Sequence, residues 1–578
     1  MEFVELPTPK PLPKRWKIAH KLPEHIDREF AEFSPLMRQL LYNRGFTKVN
    51  SARAYISGSA PDVNDPTYLK DMPIAVERLR GALQQGENIA IYGDYDADGV
   101  TASALMYEFL KKCGADPRSY IPSRFDEGYG LNIEAINQLA SESVQLIITV
   151  DCGVRSIAEA QHAKDLGINM IITDHHQPGE TLPPADAIIN PKQTDDLYPD
   201  KMLAGVGLAY KLVQAYLQSY PIAGVNADQW LDLVAIGTIA DLAPLIGENR
   251  TLVKAGLDLI QTQTRQGLFS LAQVAGLKIE KTNAGHIGFV LGPRLNAAGR
   301  IDSALTAFEL LVTQDYLQAG KLAQKLEVQN TQRQKMTREI QAQAIELAFS
   351  EEPDALIIFA ASPDFNEGVV GLAASRLVEA FYRPAIVGHR DEQHIIASCR
   401  SIPEFNITRA LDQCADLLIR YGGHSAAAGF TVSNENISAL IDRLRKIASE
   451  QLKDLNLIPE LTIDREILLD NLHPKYIPDI LEDLHQLEPT GRGNPGAIFA
   501  SRRCEVRQVR QVGTDGLHLK LRIRAGTHDF EAIAFRQGYW LDNMPNRIDI
   551  AYTFEINDFR GRQSLQLNIK DIKPSSES

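Results

Sequence analysis

Residues 89–101 read IAIYGDYDADGVT, and the rest of the chain is organised around them. Its apolar beginning, residues 89–92, predicts a short buried strand. Three carboxylates follow on alternate positions: Asp94, Asp96 and Asp98. Carboxylates crowded at the end of a strand repel one another, and a hard divalent cation such as Mg²⁺ or Mn²⁺ offsets that repulsion. The stretch therefore predicts a strand that delivers oxygen ligands to a cation.

Three other interpretations compete with this one. The first is a polar loop of solvated aspartates, and the second is a lone structural metal. The third is a calcium-binding EF-hand loop, because the aspartate spacing matches its beginning. That loop needs a bidentate Glu at its last position, where this chain has Leu105, and it follows a helix rather than a strand. Here Gly99 permits a turn, and the sequence from Thr101 to Lys112 predicts a helix after it.

Length and composition indicate a multidomain globular protein. A chain of 578 residues is too long for a single hydrophobic core. No apolar run is long enough to span a bilayer, and the Pro-rich N-terminus lacks the apolar core of a signal peptide. Five scattered cysteines without a CxxC pair favour reduced thiols in a cytoplasmic protein and argue against structural zinc. The net charge of −14 does not forbid a nucleic-acid partner, since binding depends on where the basic side chains lie.

From about residue 72, predicted strands alternate with predicted helices, which is typical of a mostly parallel sheet covered on both faces. The predicted strands are Ile89 to Tyr92, Ser119 to Ile121, Gln145 to Val150, Ile168 to Thr173 and Ala187 to Asn190. In such sheets, ligands bind beyond the carboxyl ends of the strands. Three strands are followed by charged motifs: Asp94-Tyr-Asp96-Ala-Asp98, Asp151-Cys-Gly153 and Asp174-His175-His176. We expect these motifs to converge on one edge of the sheet.

The pattern divides the chain into five expected regions. Residues 1–75 form a satellite that we expect to pack on the following domain, residues 76–250 form the parallel-sheet domain, and residues 251–350 form a helical connector. Residues 351–455 return to a smaller α/β pattern, and residues 456–578 show the short strands and turns of a small β-barrel such as an OB-fold. A buried helix is predicted from Trp230 to Leu245. Asp232 lies at its start, where a cap or dipole role explains it, but Asp241 lies within the apolar run and needs a partner or a metal.

Oxygen and imidazole ligands from distant positions make up a candidate site: Asp94, Asp96, Asp98, Asp151, His175 and Asp241. This set is rich enough for two cations bridged by one carboxylate. Two metals ~3.5–4 Å apart activate a water and steady the leaving oxygen in phosphoester hydrolysis. His176 is then free to contact the phosphate or to act as an acid. Any one of these side chains alone is more often a cap or turn residue, but several ordered along one α/β pattern favour a metal site.

The motifs DYDADGVT, VDCGV, TDHH and GTIADLAPL resemble the four motifs of the DHH phosphoesterase superfamily. The segments GVVGLAASRL and YGGHSAAAGF resemble that superfamily's DHH-associated C-terminal domain. The segment GPRLNAAGR and the terminal barrel are similar to one branch, the single-strand-specific 5′→3′ DNA exonucleases of repair and recombination. The resemblance covers residues 75 to 575. It implies a DHH catalytic domain at 76–250, a DHH-associated domain at 351–455 and a nucleic-acid-binding OB-like domain at 456–578.

The resemblance also implies roles for single residues. Asp151 would bridge two divalent cations, Mn²⁺ or Mg²⁺. The first cation would be held by Asp96 with Asp94 nearby, and the second by Asp98, His175 and Asp241. Asp174 would orient the histidines, and His176 would face the scissile phosphate. The implied contacts to the terminal 5′ phosphate are Arg124, Arg300, Ser398, Arg400, Gly422, Gly423 and His424.

The C-terminal region indicates the substrate, single-stranded DNA. Nine Lys or Arg stand against four Asp or Glu between Arg492 and Arg536, which favours a track for the backbone of single-stranded DNA. A solvated strand face of alternating charges is the alternative. Candidate stacking aromatics are Phe499, Phe530, Phe535, Tyr539 and Trp540.

Two other functions stay open: a phosphodiesterase of oligonucleotides or cyclic dinucleotides, and an inactive DNA-binding scaffold. We expect a cytoplasmic monomer without a membrane contact, and a single-strand-binding protein or a helicase as a further partner.

Overall fold

The computed structural model describes residues 12–58, 64–124, 127–351, 354–472, 474–513, 516–559 and 562–575. These residues fold into two compact units, which are described separately. The DYDADG unit comprises Ser57–Met336 and Glu488–Pro495. The barrel unit comprises Met1–Ile56, Thr337–Leu487 and Gly496–Ser578.

A five-stranded parallel sheet forms the centre of the DYDADG unit and confirms the predicted fold class. Its strands, in spatial order, are Arg118–Tyr120, Ile89–Gly93, Leu146–Val150, Asn169–Thr173 and Ala187–Ile189. The register pairs Gly93 with Val150, and Val150 with Thr173. Asp94, Asp151 and Asp174 therefore leave three adjacent strands side by side, because parallel strands end at the same edge.

Helices cover both faces of this sheet with buried apolar side chains. The α-helices are Met72–Gln85, Ala97–Lys112, Ile133–Ser141, Ile157–Asp165, Gly205–Ser219, Leu231–Ala240, Gly247–Thr262, Gln266–Val274, Ala284–His286, Gly292–Ile301 and Leu305–Val312. A π-helical turn, Ile287–Leu291, precedes Gly292, and short 3₁₀ turns lie at Pro66–Tyr68, Ala227–Trp230 and Ile279–Lys281. The long helix Tyr316–Glu351 begins in this unit and ends in the other.

Two predicted helix ends need correction. The helix expected from Thr101 begins at Ala97, because the Asp96 side chain caps it. The helix expected to reach Leu245 ends at Ala240, and Asp241 is its C-cap. The chain then turns through Leu242 at a φ of 59° before Pro244. Asp98 therefore lies in the first turn of one helix, and Asp241 at the end of another.

The barrel unit contains a mixed sheet and a closed barrel. The mixed sheet has the spatial order Leu418–His424, Ala427–Ser433, His394–Arg400, Ala385–Arg390 and Ile358–Ser362. The barrel closes through Phe499–Val512, His518–Ala525, His528–Ala534, Arg562–Pro574 and Arg547–Phe559. The short strand Arg465–Glu466 extends it at Phe499. Its α-helices are Glu24–Glu29, Pro35–Asn43, Val49–Ser57, Glu367–Phe381, Ile407–Asp412, Ile437–Leu452 and Ile477–Gln486. Its 3₁₀ turns are Ala415–Leu417, Leu469–Asn471, Pro474–Tyr476 and Gly538–Asn543.

The N-terminal residues pack with the barrel rather than with the domain that follows them in sequence. The strand Arg15–Ile18 pairs in parallel with Glu460–Ile463. Phe30 and Leu41 are buried in the same apolar cluster as Phe499 and Tyr552 of the barrel. The expected packing of this region on the following domain is therefore wrong for residues 12–56. Across the described ranges, no helix combines the length and apolarity that crossing a bilayer requires.

Candidate metal centre

The DYDADG loop holds its carboxylates with backbone amides. The Asp96 Oδ1 atom accepts hydrogen bonds from the backbone nitrogens of Asp98 at 2.9 Å and Gly99 at 3.2 Å. Asp94 is only 3% exposed, and its Oδ1 atom has no hydrogen-bond partner within the described part of the chain. Buried carboxylate oxygens are normally paired, so this unpaired oxygen indicates an external ligand.

Asp98 is held from a second element. Its Oδ2 atom accepts from the backbone nitrogen of Gly205 at 2.7 Å, and its Oδ1 atom accepts from that of Val206 at 2.8 Å. Both donors are the first residues of the helix Gly205–Ser219, whose N-terminus favours a negative charge. A carboxylate offers about four lone-pair positions, so two hydrogen bonds leave it able to bind a cation.

Asp151 lies at the end of the central strand in an unusual backbone conformation. Its φ is 64°, which is uncommon for any residue except glycine, and its side chain is 2% exposed. Its Oδ1 atom is buried and finds no hydrogen-bond partner in the described residues. Gly205 lies directly against it, because a Cβ on Gly205 would be 2.5 Å from that oxygen.

His175 faces the same space. Its Nε2 atom is 3.2 Å from Asp151 Oδ1 and 3.9 Å from Asp241 Oδ2. Burial, and then the positive charge of His176, lower the pKa of His175 to about 3, while a hydrogen bond to the Leu203 backbone acts in the opposite direction. The ring is therefore neutral at physiological pH, which is the form that binds metals.

Three overlapping groups of these side chains each bring their ligand atoms within 4.8 Å of one another. The groups are Asp94, Asp96 and Asp151; Asp98, His175 and Asp241; and Asp151, His175 and His176. Burial and then repulsion by Asp96 raise the pKa of Asp94 to about 8 and that of Asp241 to about 7. Burial and then the neighbouring carboxylates raise the pKa of Asp98 and Asp151 well above the ordinary value.

This donor set fits hard divalent cations. Its atoms are carboxylate oxygens and neutral imidazole nitrogens, and the unpaired buried atoms are Asp94 Oδ1, Asp151 Oδ1 and His175 Nε2. Cations at this position would remove the repulsion that raises the carboxyl pKa values. The assignment of each ligand to one of two cations stays a prediction.

His176 is oriented by two neighbours. Its Nδ1 atom is 2.8 Å from Asp174 Oδ1 and 3.0 Å from the hydroxyl of Tyr129. Asp174 is 1% exposed, and its Oδ2 atom accepts from the backbone nitrogen of Val154 at 2.9 Å. Burial lowers the pKa of His176, but the hydrogen bond and charge of Asp174 raise it above its ordinary value. With Nδ1 engaged and the side chain 41% exposed, Nε2 is the atom available to a substrate.

Several supporting residues were not identified from the sequence. Asn296 Oδ1, in the segment GPRLNAAGR, accepts from the backbone nitrogen of Ala97 at 2.8 Å and so fixes the DYDADG loop. Asn190 Nδ2 donates to the His176 carbonyl at 2.9 Å, and Lys192 Nζ donates to the His175 carbonyl. A polar Asn after the strand Ala187–Ile189 was the available signal for Asn190. Nothing in the local sequence indicated the contact of Asn296.

Arg124 and Arg300 lie in the same unit as the candidate ligands. The Arg124 guanidinium stacks over the Tyr95 ring at 4.0 Å, and its positive charge opposes the rise in the pKa of Asp94. The charge of Arg300 likewise opposes the rise in the pKa of Tyr95 that burial produces. Gly299 packs so closely against Tyr95 that a Cβ would be 2.5 Å from its carbonyl oxygen. Both arginines are therefore placed beside the DYDADG loop.

The other expected phosphate contacts lie together in the mixed sheet of the barrel unit. Arg400 and His424 both pair with Ala427 on the intervening strand, and Ser398 pairs with Gly429. Burial lowers the pKa of Arg400, and no carboxylate among the described residues pairs with it. A half-buried guanidinium without a carboxylate partner favours an anionic ligand.

The barrel presents fewer free charges than its sequence suggests. Ion pairs with carboxylates engage Arg502, Arg507, Lys520, Arg522 and Arg524. Within the described ranges, no such pair involves Arg503, Arg510 or Arg536. Of the candidate aromatics, Phe499 and Phe530 fill the barrel core, while Phe535 and Tyr539 are exposed. The alternating-charge interpretation therefore holds for five of the basic side chains.

Family models match three successive parts of the chain. The DHH family N-terminal domain matches residues 88–238, the DHHA1 domain matches residues 354–451, and the RecJ OB domain matches residues 463–571. The three matches follow the order of the sheet, the mixed sheet and the barrel.

Named relatives resemble the chain over nearly its full length. The single-stranded-DNA-specific exonuclease RecJ of Bacillus subtilis (strain 168) is 39% identical over 567 residues, covering 97% of this chain and 71% of the relative. The exonuclease of the same name from Escherichia coli (strain K12) is 35% identical over 570 residues, covering 94% and 96%. The crystal structure of RecJ from Thermus thermophilus in complex with Mn²⁺ has a TM-score of 0.83 at 30% identity, covering 97% of this chain and 80% of that one. The chain therefore belongs to the RecJ family of the DHH superfamily.

Proposed function

We propose that the chain is a metal-dependent exonuclease that hydrolyses phosphodiester bonds of single-stranded DNA from the 5′ end. The observation that carries this proposal is the set of three overlapping ligand groups in which Asp151 and His175 each occur twice. Such sharing is what a bridged pair of cations requires. Family membership supplies the substrate class, because the relatives are named single-stranded-DNA-specific exonucleases.

Two divalent cations, Mn²⁺ or Mg²⁺, would be held around Asp151. One would take Asp96 and Asp151 with Asp94 nearby, and the other would take Asp98, Asp151, His175 and Asp241. When bound, they supply a nucleophilic water and stabilise the charge on the leaving oxygen. The hydrogen bonds from Gly205 and Val206 to Asp98 keep that carboxylate in place before a cation arrives.

His176 acts on the phosphate through Nε2. Its Nδ1 side is occupied by Asp174 and Tyr129, so the ring presents one nitrogen to the substrate. The carboxylate of Asp174 favours the protonated ring, which can donate a hydrogen bond to a phosphate oxygen. Asp174 itself is a positioning residue, since it touches His176 rather than the substrate.

The terminal 5′ phosphate is recognised by basic and hydroxyl side chains. Arg124 and Arg300 stand beside the DYDADG loop, and the further contacts are Ser398, Arg400, Gly422, Gly423 and His424. Two observations within the described residues support this role: the buried Nε atom of Arg124 has no hydrogen-bond partner, and no carboxylate pairs with the guanidinium of Arg400. A 5′ phosphate fixed one nucleotide away from the cations sets the 5′→3′ direction.

The decisive experiment is digestion of an end-labelled single strand by the wild type and by Asp151→Ala. With Mn²⁺ or Mg²⁺, the wild type should release nucleotides from a 5′-phosphorylated strand, and the variant should release none while keeping its circular dichroism spectrum. Substrates without a 5′ phosphate, duplexes and dinucleotides serve as comparisons. Undiminished turnover in Asp151→Ala, or a preference for dinucleotides over long strands, would refute the proposal.

Compartment, assembly and domain division belong to the same proposal. All five cysteines are unpaired, which suits the reducing cytoplasm. The chain acts as a monomer, with a single-strand-binding protein or a helicase as the partner that supplies its substrate. The boundaries at 75, 250, 350 and 455 separate its functional parts. Light scattering and pull-down with either partner test the assembly.

A further inference from the structure

A tight turn from the C-terminal part of the sequence is built into the DYDADG unit. We call residues 488–495 the Arg492 turn; the chain on either side of it belongs to the barrel unit. Gly491 and Asn494 exchange backbone hydrogen bonds of 2.8 and 3.2 Å, and Gly493 has a φ of 76°. Arg492 is therefore at the first central position of a turn whose second central position requires glycine.

The turn is fixed to the loop that follows Asp241. The Leu245 backbone nitrogen donates to the Arg492 carbonyl at 2.7 Å, and Arg492 Nη1 donates to the Leu242 carbonyl at 3.2 Å. A Cβ on Gly491 would be 2.8 Å from Leu245 Cδ1, so the two segments are in close contact.

A buried arginine secures the base of the turn. Arg250 is 2% exposed and donates to the carbonyl oxygens of Glu488 at 2.8 Å and Pro489 at 3.0 Å. Asn494, 1% exposed, donates to Pro489 at 2.8 Å. These contacts hold the turn rigidly, although its tip is exposed.

The charge at the tip of the turn has no counterion among the residues that the structure describes. Arg492 is exposed, and no carboxylate pairs with it in the described part of a chain whose net charge is −14. Lys192 is a second such cation, and its ammonium reaches the His175 carbonyl. Arg492 contacts Leu242, the residue after Asp241. Arg124, in contrast, stacks over Tyr95, the residue after Asp94.

We propose that Arg492, with the charge of Lys192 beside it, binds the internucleotide phosphate that lies one nucleotide beyond the scissile bond. This inference rests on the proposed function. The 5′ phosphate contacts Arg124 on the Asp94 side of the centre, so a strand that crosses the cations continues on the Asp241 side. An exposed guanidinium on a rigid turn grips phosphate oxygens there at little entropic cost. The alternative is a purely structural role, in which the Arg492 guanidinium only caps the Leu242 carbonyl.

Short 5′-phosphorylated thymidylates separate the two roles. pTpT contains the scissile phosphate alone, whereas pTpTpT also contains the next one. Arg492→Gln should lower kcat/KM on pTpTpT about tenfold, mainly through KM, and leave pTpT unchanged. Binding of longer strands, measured by anisotropy with Ca²⁺ in place of Mn²⁺, should lose about 0.7 from its logarithmic salt slope.

A chemical change in the substrate gives a test that does not depend on folding of a variant. A neutral methylphosphonate at the second internucleotide position should lower kcat/KM of the wild type about tenfold. It should not lower kcat/KM of Arg492→Gln further. In Arg492→Lys, the methylphosphonate should still lower kcat/KM, but by less than in the wild type. Arg118→Gln is the matched control, since Arg118 is an exposed arginine at the amino end of its strand.

Each outcome has one meaning. Equal losses on pTpT and pTpTpT would assign Arg492 a structural role and overturn the inference. A variant equal to the wild type on every substrate, or a methylphosphonate that adds to the variant's loss, would overturn it as well. Failure of the wild type to digest any single strand would refute the proposed function instead.

Discussion

Replacing Gly205 with alanine should disable the centre without removing any ligand. Gly205 is the first residue of the helix Gly205–Ser219, and its φ is not in the left-handed region, so alanine meets no backbone penalty there. The obstacle is steric. An alanine Cβ would be 2.5 Å from Asp151 Oδ1 and 2.6 Å from Asp151 Cβ.

The required displacement can be read from these distances. Real Cβ atoms essentially never approach another heavy atom within 3.0 Å, so Asp151 or the helix must shift by about half an ångström or more. Rotation of the carboxylate does not relieve the contact, because the Asp151 Cβ is itself too close. Metal ligand distances tolerate only about ±0.2 Å, and a misplacement of about 1 Å costs about 10²-fold in rate. We therefore expect a loss of about 100-fold in kcat, with a destabilisation of about 1–3 kcal/mol from overpacking.

The same helix offers a matched control. A Cβ on Gly207 would lie 3.6 Å from the nearest atoms of Leu203, an ordinary contact. Gly207→Ala should keep full activity and gain up to about 1 kcal/mol, since alanine favours a helix over glycine. Activity on a 5′-phosphorylated single strand, Mn²⁺ affinity by calorimetry, and urea unfolding should be measured on both variants.

The outcome that refutes this reasoning is specific. If Gly205→Ala bound Mn²⁺ with unchanged affinity and turned over within about twofold of the wild type, Asp151 would not be a geometrically constrained ligand. A loss of activity in both variants would instead indicate a general sensitivity of the helix.

Three further predictions concern the centre and its supports. Metal-free protein should lose stability as pH rises from about 4 to 8. Burial and then repulsion by Asp96 raise the pKa of Asp94 from 3.8 to about 8 and that of Asp241 from 3.8 to about 7. Between these pH values the folded state therefore holds protons that the unfolded chain has released. Thermal melts at several pH values should show this slope, and added Mn²⁺ should abolish it. Asp174→Asn should lower kcat about 10- to 100-fold with Mn²⁺ affinity retained, because it removes the charge that holds His176. Asn296→Ala should reduce the free energy of unfolding by about 1–3 kcal/mol in urea, because it removes the side-chain acceptor of the Ala97 backbone N–H.

The sequence predicted those parts of the centre that follow from chain-local patterns. Apolar strands alternating with helices predicted a parallel sheet, and parallel strands bring their carboxyl ends to one edge. Asp94, Asp151 and Asp174 therefore had to lie side by side once the sheet was assigned. One local misjudgement was the start of the helix Ala97–Lys112, because Asp96 was interpreted as a ligand and not also as the N-cap. The other was the end of the helix Leu231–Ala240, which stops before Leu245.

The missing parts depend on contacts between residues far apart in sequence. Asn296 and Ala97 are separated by 199 positions, and Arg492 and Leu242 by 250. No periodicity or turn rule connects such segments. The same holds for Gly205, whose lack of a side chain matters only because Asp151 occupies that space. A glycine at the beginning of a helix otherwise indicates nothing about a metal centre.

The fold can hold so many carboxylates close together because backbone amides from several elements donate hydrogen bonds to them. Asp96 accepts from its own helix, Asp98 from the helix at Gly205, and Asp174 from Val154. Each of these donors belongs to an element that apolar packing already fixes. The centre is therefore formed before cations bind, in contrast to zinc fingers, which are unfolded without their metal. Cations then relieve the remaining repulsion at Asp94, Asp98, Asp151 and Asp241, so their removal should weaken the protein without unfolding it.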